Sequence, residues 1–431
     1  MNKRVPAGVA AAVALGLALG FGAGTASAAG TAGALDTGFG HNGIVLTNLG
    51  LDANGNQIQA IPTAVAEQST GDIVVAVGLG GLDSGLVRYL PNGTRDTTFG
   101  NGGFASLPAG NSSTRPALAV QSDGKLVWAG EGTASNGGAV FAVVRFNANG
   151  TLDQTFGTGG LATTTFGNAL QGAQAVLVQP DGKILVGGQV LFGGRPPRDI
   201  GGLARFNSNG SIDTTFGTGG QELVPNSNPV LGSVIGVTAL GLDANGDIFT
   251  LPSHLEFSPA GQPVTLTPAA ITSTSLGGNV VFLPSGGFVV ATTAGSSRSS
   301  DHDVQVTRFN PDGTTASTAT GVDYAGQNGA LAATDSAASV AIQANGQAVV
   351  DGSHVESGQA SSTSVFGLAR FNADSSLDAA FGSGGVLTTT IQGSDSAALT
   401  FIQPDGKILA VGTSQNAAGV IELALARYLS S

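Results

Sequence analysis

The side chains that could catalyse a reaction or bind a metal are few and widely spaced in this sequence. Catalysis of the Ser/His/Asp type needs three groups that converge in space, and spacing along the chain cannot show such convergence. The densest titratable group is Asp301-His302-Asp303, which follows Ser299 and Ser300. Its serine-rich surroundings favour a solvated loop over a catalytic centre. A metal site built from the scattered histidines has no support in their spacing; the others are His41, His254 and His354.

Closely spaced oxygen ligands occur in repeated runs that could bind calcium. The runs have the form Asn-x-Asn/Asp-Gly-x-x-Asp and lie at Asn147–Asp153, Asn207–Asp213 and, in part, Asn310–Gly313. Calcium takes about six to eight oxygen ligands, often from loops of this composition. However, Asn stands where a charged ligand would be wanted, no Glu completes the run, and Asn and Asp also stabilise turns. We therefore interpret the runs as turns and expect no bound metal and no cofactor.

Composition excludes several classes of site. The sequence contains no cysteine, so it offers no thiolate nucleophile, cysteine ligand or disulfide, and stability must come from burial and strand pairing. The formal net charge is −12, with 16 basic against 28 acidic residues. Nothing resembles the basic stripe that a phosphate backbone requires, so we expect no nucleic-acid partner. No glycine-rich loop precedes a helix, which argues against a nucleotide site.

The first 28 residues have the three parts of a secretory signal peptide. Lys3 and Arg4 precede an apolar run from Val5 to Gly24, and small residues follow up to Ala28. We expect cleavage after Ala28, because glycines interrupt the run and no positive stop-transfer flank follows it. No later stretch approaches the roughly 20 apolar residues that span a bilayer. The sequence therefore predicts a secreted protein, extracellular or at the cell surface, with no membrane span after removal of the leader.

Two short patterns alternate along the rest of the chain, and each occurs seven times. The first is a tight turn between two apolar strands, in which glycine can take a positive φ. Its glycines are Gly71, Gly124, Gly182, Gly246, Gly286, Gly346 and Gly406. The second is a strand that ends in Arg and an aromatic residue, with Glu in the fourth copy. These pairs begin at Arg88, Arg145, Arg205, Glu256, Arg308, Arg370 and Arg427.

The spacing of the two patterns predicts the fold. A turn and the sequence Leu-Asp-x-x-Phe-Gly follow the second pattern in most units, so each unit reads as four antiparallel strands in about 57 residues, the size of a propeller blade. The sequence begins and ends part-way through a unit, and pairing a first strand at Ile44–Leu46 with the last strand would remove exposed edges. We predict an all-β, seven-bladed β-propeller with four-stranded antiparallel blades, the last closed by the N-terminal strand.

The predicted domain organisation is a leader at 1–28 and a single propeller domain at 29–431. The seven blades are expected at roughly 56–107, 108–166, 167–225, 226–268, 269–328, 329–390, and 391–431 together with 35–50. Within each unit we expect the Arg to pair with the Asp of Leu-Asp-x-x-Phe-Gly and the Phe to wedge between blades.

The alternation of Arg-Phe-Asn-x-Asn/Asp-Gly, Leu-Asp-x-x-Phe-Gly and Gln-Pro-Asp-Gly-Lys-Ile resembles the delta-60 repeat, a bacterial β-propeller repeat family. The resemblance covers roughly residues 35–431, and it implies an exported propeller with no settled chemistry. Units four and five depart from the pattern. Glu256 replaces the Arg, and Leu-Asp-x-x-Phe-Gly is missing after Phe257 and after Gly313. The strand limits between Gln221 and Gly326 therefore stay open at this point.

The two ends of the blades differ in how much their sequence varies. Strand alternation places the near-identical tight turns on one face of the ring, the tight-turn face. The opposite variable-loop face carries Glu131–Gly138, Gln189–Gly201, Ala294–Asp303, Ser353–Ser364 and Ser414–Gly419. Binding residues concentrate on loops held by a rigid scaffold. We therefore predict a binding surface on the variable-loop face, with these candidate side chains: Phe192, Arg195, Arg198, Asp199, Arg298, Asp301, His302 and His354.

Two functions remain open from the sequence. The first is a non-catalytic binding or scaffold module that presents the variable-loop face to a protein or a cell-envelope glycan, as a monomer. The scarcity of convergent catalytic groups favours it, so we expect no enzymatic activity. The alternative is a metal-assisted extracellular hydrolase or lactonase with its site in the central channel. A stoichiometric metal held by Asp, Asn or His side chains facing the channel would favour the enzyme.

Overall fold

The computed structural model of the chain describes fifteen segments. They are 31–50, 57–79, 83–134, 137–167, 169–193, 198–224, 236–243, 245–251, 255–264, 280–283, 285–294, 302–319, 321–324, 333–356 and 363–431. Over these residues the secondary structure is strand and turn, with no helix long and apolar enough to cross a bilayer. The predicted leader at 1–28 lies outside the described residues.

The first half of the chain supplies strands β1 to β13. Their bounds are β1 (Ile44–Thr47), β2 (Ala60–Glu67), β3 (Ile73–Leu79), β4 (Asp83–Tyr89), β5 (Phe104–Ser106), β6 (Asn111–Val120), β7 (Leu126–Thr133), β8 (Ala139–Phe146), β9 (Leu161–Thr164), β10 (Leu170–Val178), β11 (Ile184–Phe192), β12 (Arg198–Phe206) and β13 (Gln221–Val224).

The second half supplies strands β14 to β27. Their bounds are β14 (Ala239–Leu242), β15 (Ile248–Leu251), β16 (Leu255–Phe257), β17 (Val280–Phe282), β18 (Phe288–Ala294), β19 (Asp303–Phe309), β20 (Thr315–Thr318), β21 (Ala333–Ile342), β22 (Ala348–Glu356), β23 (Ser364–Phe371), β24 (Val386–Thr389), β25 (Ser394–Ile402), β26 (Ile408–Gln415) and β27 (Ile421–Tyr428).

The strands form seven antiparallel sheets, which are the blades of a propeller. Blades one to three are β2-β3-β4-β5, β6-β7-β8-β9 and β10-β11-β12-β13, and blades five and six are β17-β18-β19-β20 and β21-β22-β23-β24. Blade four shows three strands, β14-β15-β16, within the described residues. Blade seven has the order β25-β26-β27-β1, so the N-terminal strand is its outermost strand. The predicted seven-bladed propeller with four-stranded antiparallel blades is confirmed.

Closure of the ring is visible at both its centre and its rim. At the centre, the first strand of each blade contacts the first strand of the next, and β25 of blade seven contacts β2 of blade one. At the rim, β1 pairs with β27 from Ile44 opposite Ala426 to Thr47 opposite Leu423. This pairing covers the outer edge of β27, as expected for a sheet that must not expose a free edge.

The Arg-aromatic pattern forms an ion pair that recurs in five blades. In blade two, Arg145 Nε donates to Asp153 Oδ2 at 2.8 Å, and its Nη1 donates to the Ser208 carbonyl of blade three. The guanidinium also lies over the Phe156 ring, 4.4 Å from its centroid. The predicted Arg–Asp pairing is confirmed for Arg88–Asp96, Arg145–Asp153, Arg205–Asp213, Arg370–Asp378 and Arg427–Asp36.

The phenylalanine of this network fills the space between neighbouring blades. Phe99 of blade one is fully buried and packs against Gly150 in the turn of blade two, where an added Cβ would lie 2.7 Å from the ring. Gly150 also has a φ of 82°, which most side chains disfavour. The predicted wedge is confirmed. The core accordingly consists of clusters between blades, such as the one that joins Val127 and Phe141 of blade two to Val186 of blade three.

Over their described residues, blades four and five keep the turn geometry but lack the ion pair. In blade four, Phe257 pairs with Pro263, whereas blades two, three, six and seven pair the aromatic with a leucine or an isoleucine. In blade five, Arg308 is buried, and its Nη2 donates hydrogen bonds to the carbonyls of Gly346 and Asn372. The sequence differences of units four and five therefore remove the Arg–Asp ion pair but leave the order of the described strands unchanged.

Candidate functional site

Strand alternation fixes which residues lie on the variable-loop face. The first strand of each blade starts on this face, the second strand ends on it, and the connection from the preceding blade arrives on it. Asp335 lies near the start of β21, His354 near the end of β22, and Asp323 in the connection from β20 to β21. The three residues therefore meet on the variable-loop face, between blades five and six, beside the central channel.

These three side chains form a compact cluster. His354 Nδ1 lies 2.7 Å from Asp335 Oδ1 and 3.7 Å from Asp323 Oδ1. One potential ligand atom from each residue lies within 4.8 Å of the other two, and this is a group of the kind that could hold a metal ion. Asp335 and His354 are almost fully buried, with 1% and 6% of their surface exposed. The Asp323 side chain is 17% exposed, so it is the member nearest to solvent.

Backbone groups fix the position of Asp335. Its Oδ2 accepts a hydrogen bond from the Tyr324 amide at 2.9 Å, and its own amide donates to the His302 carbonyl at 2.9 Å. Burial raises the pKa of Asp335, and the Asp323 carboxylate adds to that rise. The His354 ring and the Tyr324 amide stabilise the charged form and offset part of it. The cluster thus combines a buried carboxyl, a second carboxylate and an imidazole in one small volume.

The structure brings two of the eight predicted binding residues to this location. His354 belongs to the cluster, and the His302 carbonyl holds Asp335. The buried Nδ1 of His302 has no hydrogen-bond partner within the described part of the chain. His354 differs from the expected loop position, because β22 continues to Glu356 and buries the imidazole within the blade. Asp303, expected in a solvated loop, is the first residue of β19.

The other predicted residues that the structure describes are not part of the cluster. Phe192 ends β11 and packs, half-buried, against the core between blades two and three. Arg198 and Asp199 begin β12 and pair with Phe192 and Leu191. Those outside the described residues are Arg195, Arg298 and Asp301. Asp323 and Asp335 were missed by sequence reasoning, because neither belongs to a repeated pattern or to a recognisable ligand spacing.

The runs considered as calcium loops are turns in the structure. Asn149 Oδ1 accepts hydrogen bonds from the Thr151 amide at 3.1 Å and from its hydroxyl at 2.7 Å. Asp153 Oδ1 accepts from Thr155 in the same way, while its Oδ2 faces Arg145. The oxygens are therefore occupied by the turn and the ion pair, as the interpretation of these runs as turns requires.

The variable-loop face also exposes large apolar side chains. Leu170 is the first residue of β10 and is 67% exposed, and Ile61 at the start of β2 is 41% exposed. The single Trp and the three Tyr of the sequence are all buried. A shallow groove of about 410 Å³ lies elsewhere, at the outer rim, where β1 meets the turn that contains Arg95, and His41 lines it.

Comparison with known proteins agrees with the geometry. The family model described as "Domain of unknown function (DUF5122) beta-propeller" matches residues 68–99, 121–156, 179–216, 343–381 and 403–431. The chain is a β-propeller repeat protein. The five matched stretches lie in blades one, two, three, six and seven of the propeller, which are also the blades with the Arg–Asp ion pair, and blades four and five are not matched. A search of curated proteins finds no match to the propeller.

Several solved structures are similar to the propeller at low identity. A protein of unknown function from Dyadobacter fermentans is 11% identical, with a TM-score of 0.45, over 90% of this chain and 100% of that one. The Cps50 (Swd1) β-propeller domain of Myceliophteria thermophila is 11% identical, with a TM-score of 0.44, over 89% and 99%. The α-L-arabinofuranosidase Arb93A of Fusarium graminearum is 10% identical, with a TM-score of 0.42, over 89% and 96%.

Proposed function

We propose that this propeller is an exported, non-catalytic binding or scaffold module that presents its variable-loop face to a partner from the cell envelope or its surroundings. The observation that carries this proposal is the contrast between the two faces. On the tight-turn face, the charged groups of five blades are used in repeated ion pairs. The variable-loop face differs from blade to blade and exposes apolar side chains at the channel mouth.

A protein partner fits this surface better than a glycan does. Sugar rings stack their C–H faces on exposed aromatic rings, and the Trp and all three Tyr are buried here. Leu170 and Ile61, by contrast, expose aliphatic surface of the kind that protein interfaces bury. The net charge of −12 adds the expectation that the partner surface is neutral or basic.

The test compares two exposed leucines that differ mainly in location. Leu170→Asp changes the variable-loop face, whereas Leu223→Asp changes a leucine on the outermost strand β13 that is 41% exposed. The mature chain would be immobilised and exposed to envelope extract of the producing organism, with captured proteins quantified by mass spectrometry. We expect a protein that binds the wild type and Leu223→Asp and is lost with Leu170→Asp. Equal capture by both variants would refute the proposed face.

A metal-assisted hydrolase or lactonase is the second candidate. The specific observation in its favour is the Asp323, Asp335 and His354 cluster beside the channel, since carboxylates and imidazole are the groups such enzymes use. Hydrolysis of chromogenic ester, lactone and glycoside substrates by wild type, with loss in Asp323→Thr, would favour the enzyme over the binding module.

A further inference from the structure

We propose that Asp323, Asp335 and His354 bind one divalent transition-metal ion of the Zn²⁺ class on the variable-loop face, between blades five and six. The site is independent of the binding function proposed above and would stand if no protein partner existed. Blade six differs from blades three and seven at two of these three positions, His354 and Asp323.

Three blades keep a hydrogen-bond acceptor at the position of Asp335. In blade three, Gln171 Oε1 accepts from the Phe166 amide at 2.8 Å. In blade seven, Asp395 Oδ2 accepts from the Ile391 amide at 2.7 Å. These hydrogen bonds correspond to the one between Asp335 and the Tyr324 amide. An acceptor at this position of the first strand therefore fixes the segment that connects the blade to the preceding one. This structural role accounts for Asp335, and it requires neither His354 nor Asp323.

The other two members of the cluster are departures from the repeat. The residue paired across the strands from the acceptor is Val190 in blade three and Ser414 in blade seven, but His354 in blade six. The residue before the amide donor is Thr165 in blade three and Thr390 in blade seven, but Asp323 before blade six. Two independent departures thus place ligand atoms next to the same carboxylate.

The chemistry of the three ligands selects the class of metal. Calcium and magnesium prefer all-oxygen sites, whereas an imidazole nitrogen with carboxylates suits Zn²⁺, Mn²⁺ or Co²⁺. Two carboxylates and a neutral imidazole carry a charge of −2, which a divalent ion neutralises. The hydrogen bond from the Tyr324 amide holds Asp335 Oδ2 and leaves Asp335 Oδ1 beside His354 Nδ1, so a backbone donor orients a carboxylate that would bind the ion. Three protein ligands leave a coordination position for water or an exogenous group.

The repeats also supply variants that should preserve the fold. His354→Ser installs the side chain of Ser414, and Asp323→Thr installs the side chain of Thr165 and Thr390. The matched control is Asp395→Asn, which alters the corresponding acceptor of blade seven, where no second carboxylate or imidazole has been added. After treatment with EDTA, each protein would be titrated with Zn²⁺ and Ca²⁺ by calorimetry. Co²⁺ titration would report ligand-field absorption, and thermal unfolding would report the fold.

The expected result is one Zn²⁺ per wild-type chain, with Ca²⁺ binding much more weakly. His354→Ser and Asp323→Thr should each weaken Zn²⁺ binding at least about a hundredfold, since removal of a second-shell group alone has effects of 10- to 100-fold. Asp395→Asn should retain both the affinity and the Co²⁺ spectrum. Absence of saturable Zn²⁺ binding, or binding unchanged in the His354→Ser, Asp323→Thr double variant, would overturn the proposal. Tighter binding of Ca²⁺ than of Zn²⁺ would overturn the assigned class.

Discussion

Replacement of the buried carboxyl Asp351 should stabilise the propeller at neutral pH. In the propeller blades, one residue pair between the first and second strands directly follows the β-bulge of the first strand. Both residues of this pair are apolar or glycine in blades one, two, three and seven: Ala64–Ala76, Ala117–Ala129, Ala175–Gly187 and Leu399–Val411. In blade six it is Ser339–Asp351. Asp351 is fully buried, and neither carboxyl oxygen has a hydrogen-bond partner of normal geometry within the described residues. Its surroundings therefore favour the neutral form.

The size of the effect follows from the pKa. Burial raises the pKa of Asp351 from 3.8 to about 8, and the neighbouring Thr400 hydroxyl and the backbone offset only part of that rise. Between these two values the folded state holds a proton that the unfolded state releases, so this group makes stability fall as the pH rises. The fall amounts to about 1.4 kcal/mol per pH unit, which gives about 4 kcal/mol of destabilisation at pH 7.

Two substitutions separate the charge from the polarity of the group. Asp351→Val copies Val411 of blade seven, and Asp351→Asn keeps a polar group that does not titrate. The free energy of unfolding would be measured in urea at pH 5, 6, 7 and 8. The advantage of Asp351→Val over wild type should grow with pH, and Asp351→Asn should show the same slope with a smaller advantage. A difference that does not change with pH, or a Val variant less stable than wild type at pH 8, would refute the reasoning.

Two further predictions concern the repeated ion pair and the closure of the ring. Arg205→Leu should lower the free energy of unfolding by about 3–5 kcal/mol, because Asp213 would stay buried with only Lys183 beside it. Arg308→Leu, which removes hydrogen bonds to backbone carbonyls, should cost less. Equal losses in urea titrations would contradict a special role for the carboxylate. Deletion of residues 31–47 removes β1 and should lower the melting temperature and cause association, because the edge of β27 becomes free. A monomer with unchanged melting would count against closure.

The fold could be predicted from the sequence because its determinants recur. Arg145, Asp153 and Phe156 return at fixed offsets in blades one, three and six, and these copies make the same ion pair and ring contact, so repetition reveals the unit. The candidate site could not be predicted, because its residues are departures from that repetition. The connection also differs in length: the amide donor and its acceptor are five residues apart at Phe166 and Gln171 but eleven apart at Tyr324 and Asp335. This difference conceals the equivalent positions until hydrogen bonds identify them.

The departures from the repeat cluster in one part of the ring, and this distribution has a physical meaning. These departures are Glu256, Arg308, the proposed metal ligands and Asp351, and all of them lie in blades four to six. Each one either lacks a favourable contact that the other blades keep or places a polar group in a buried position. In a repeat array each unit contacts mainly its neighbours, so ring closure and the five intact ion pairs can support a locally weaker part. An ion that binds only the folded state would stabilise this part by about 2.7 kcal/mol at a hundred times its Kd. Metal availability would then set how firmly blades five and six hold together.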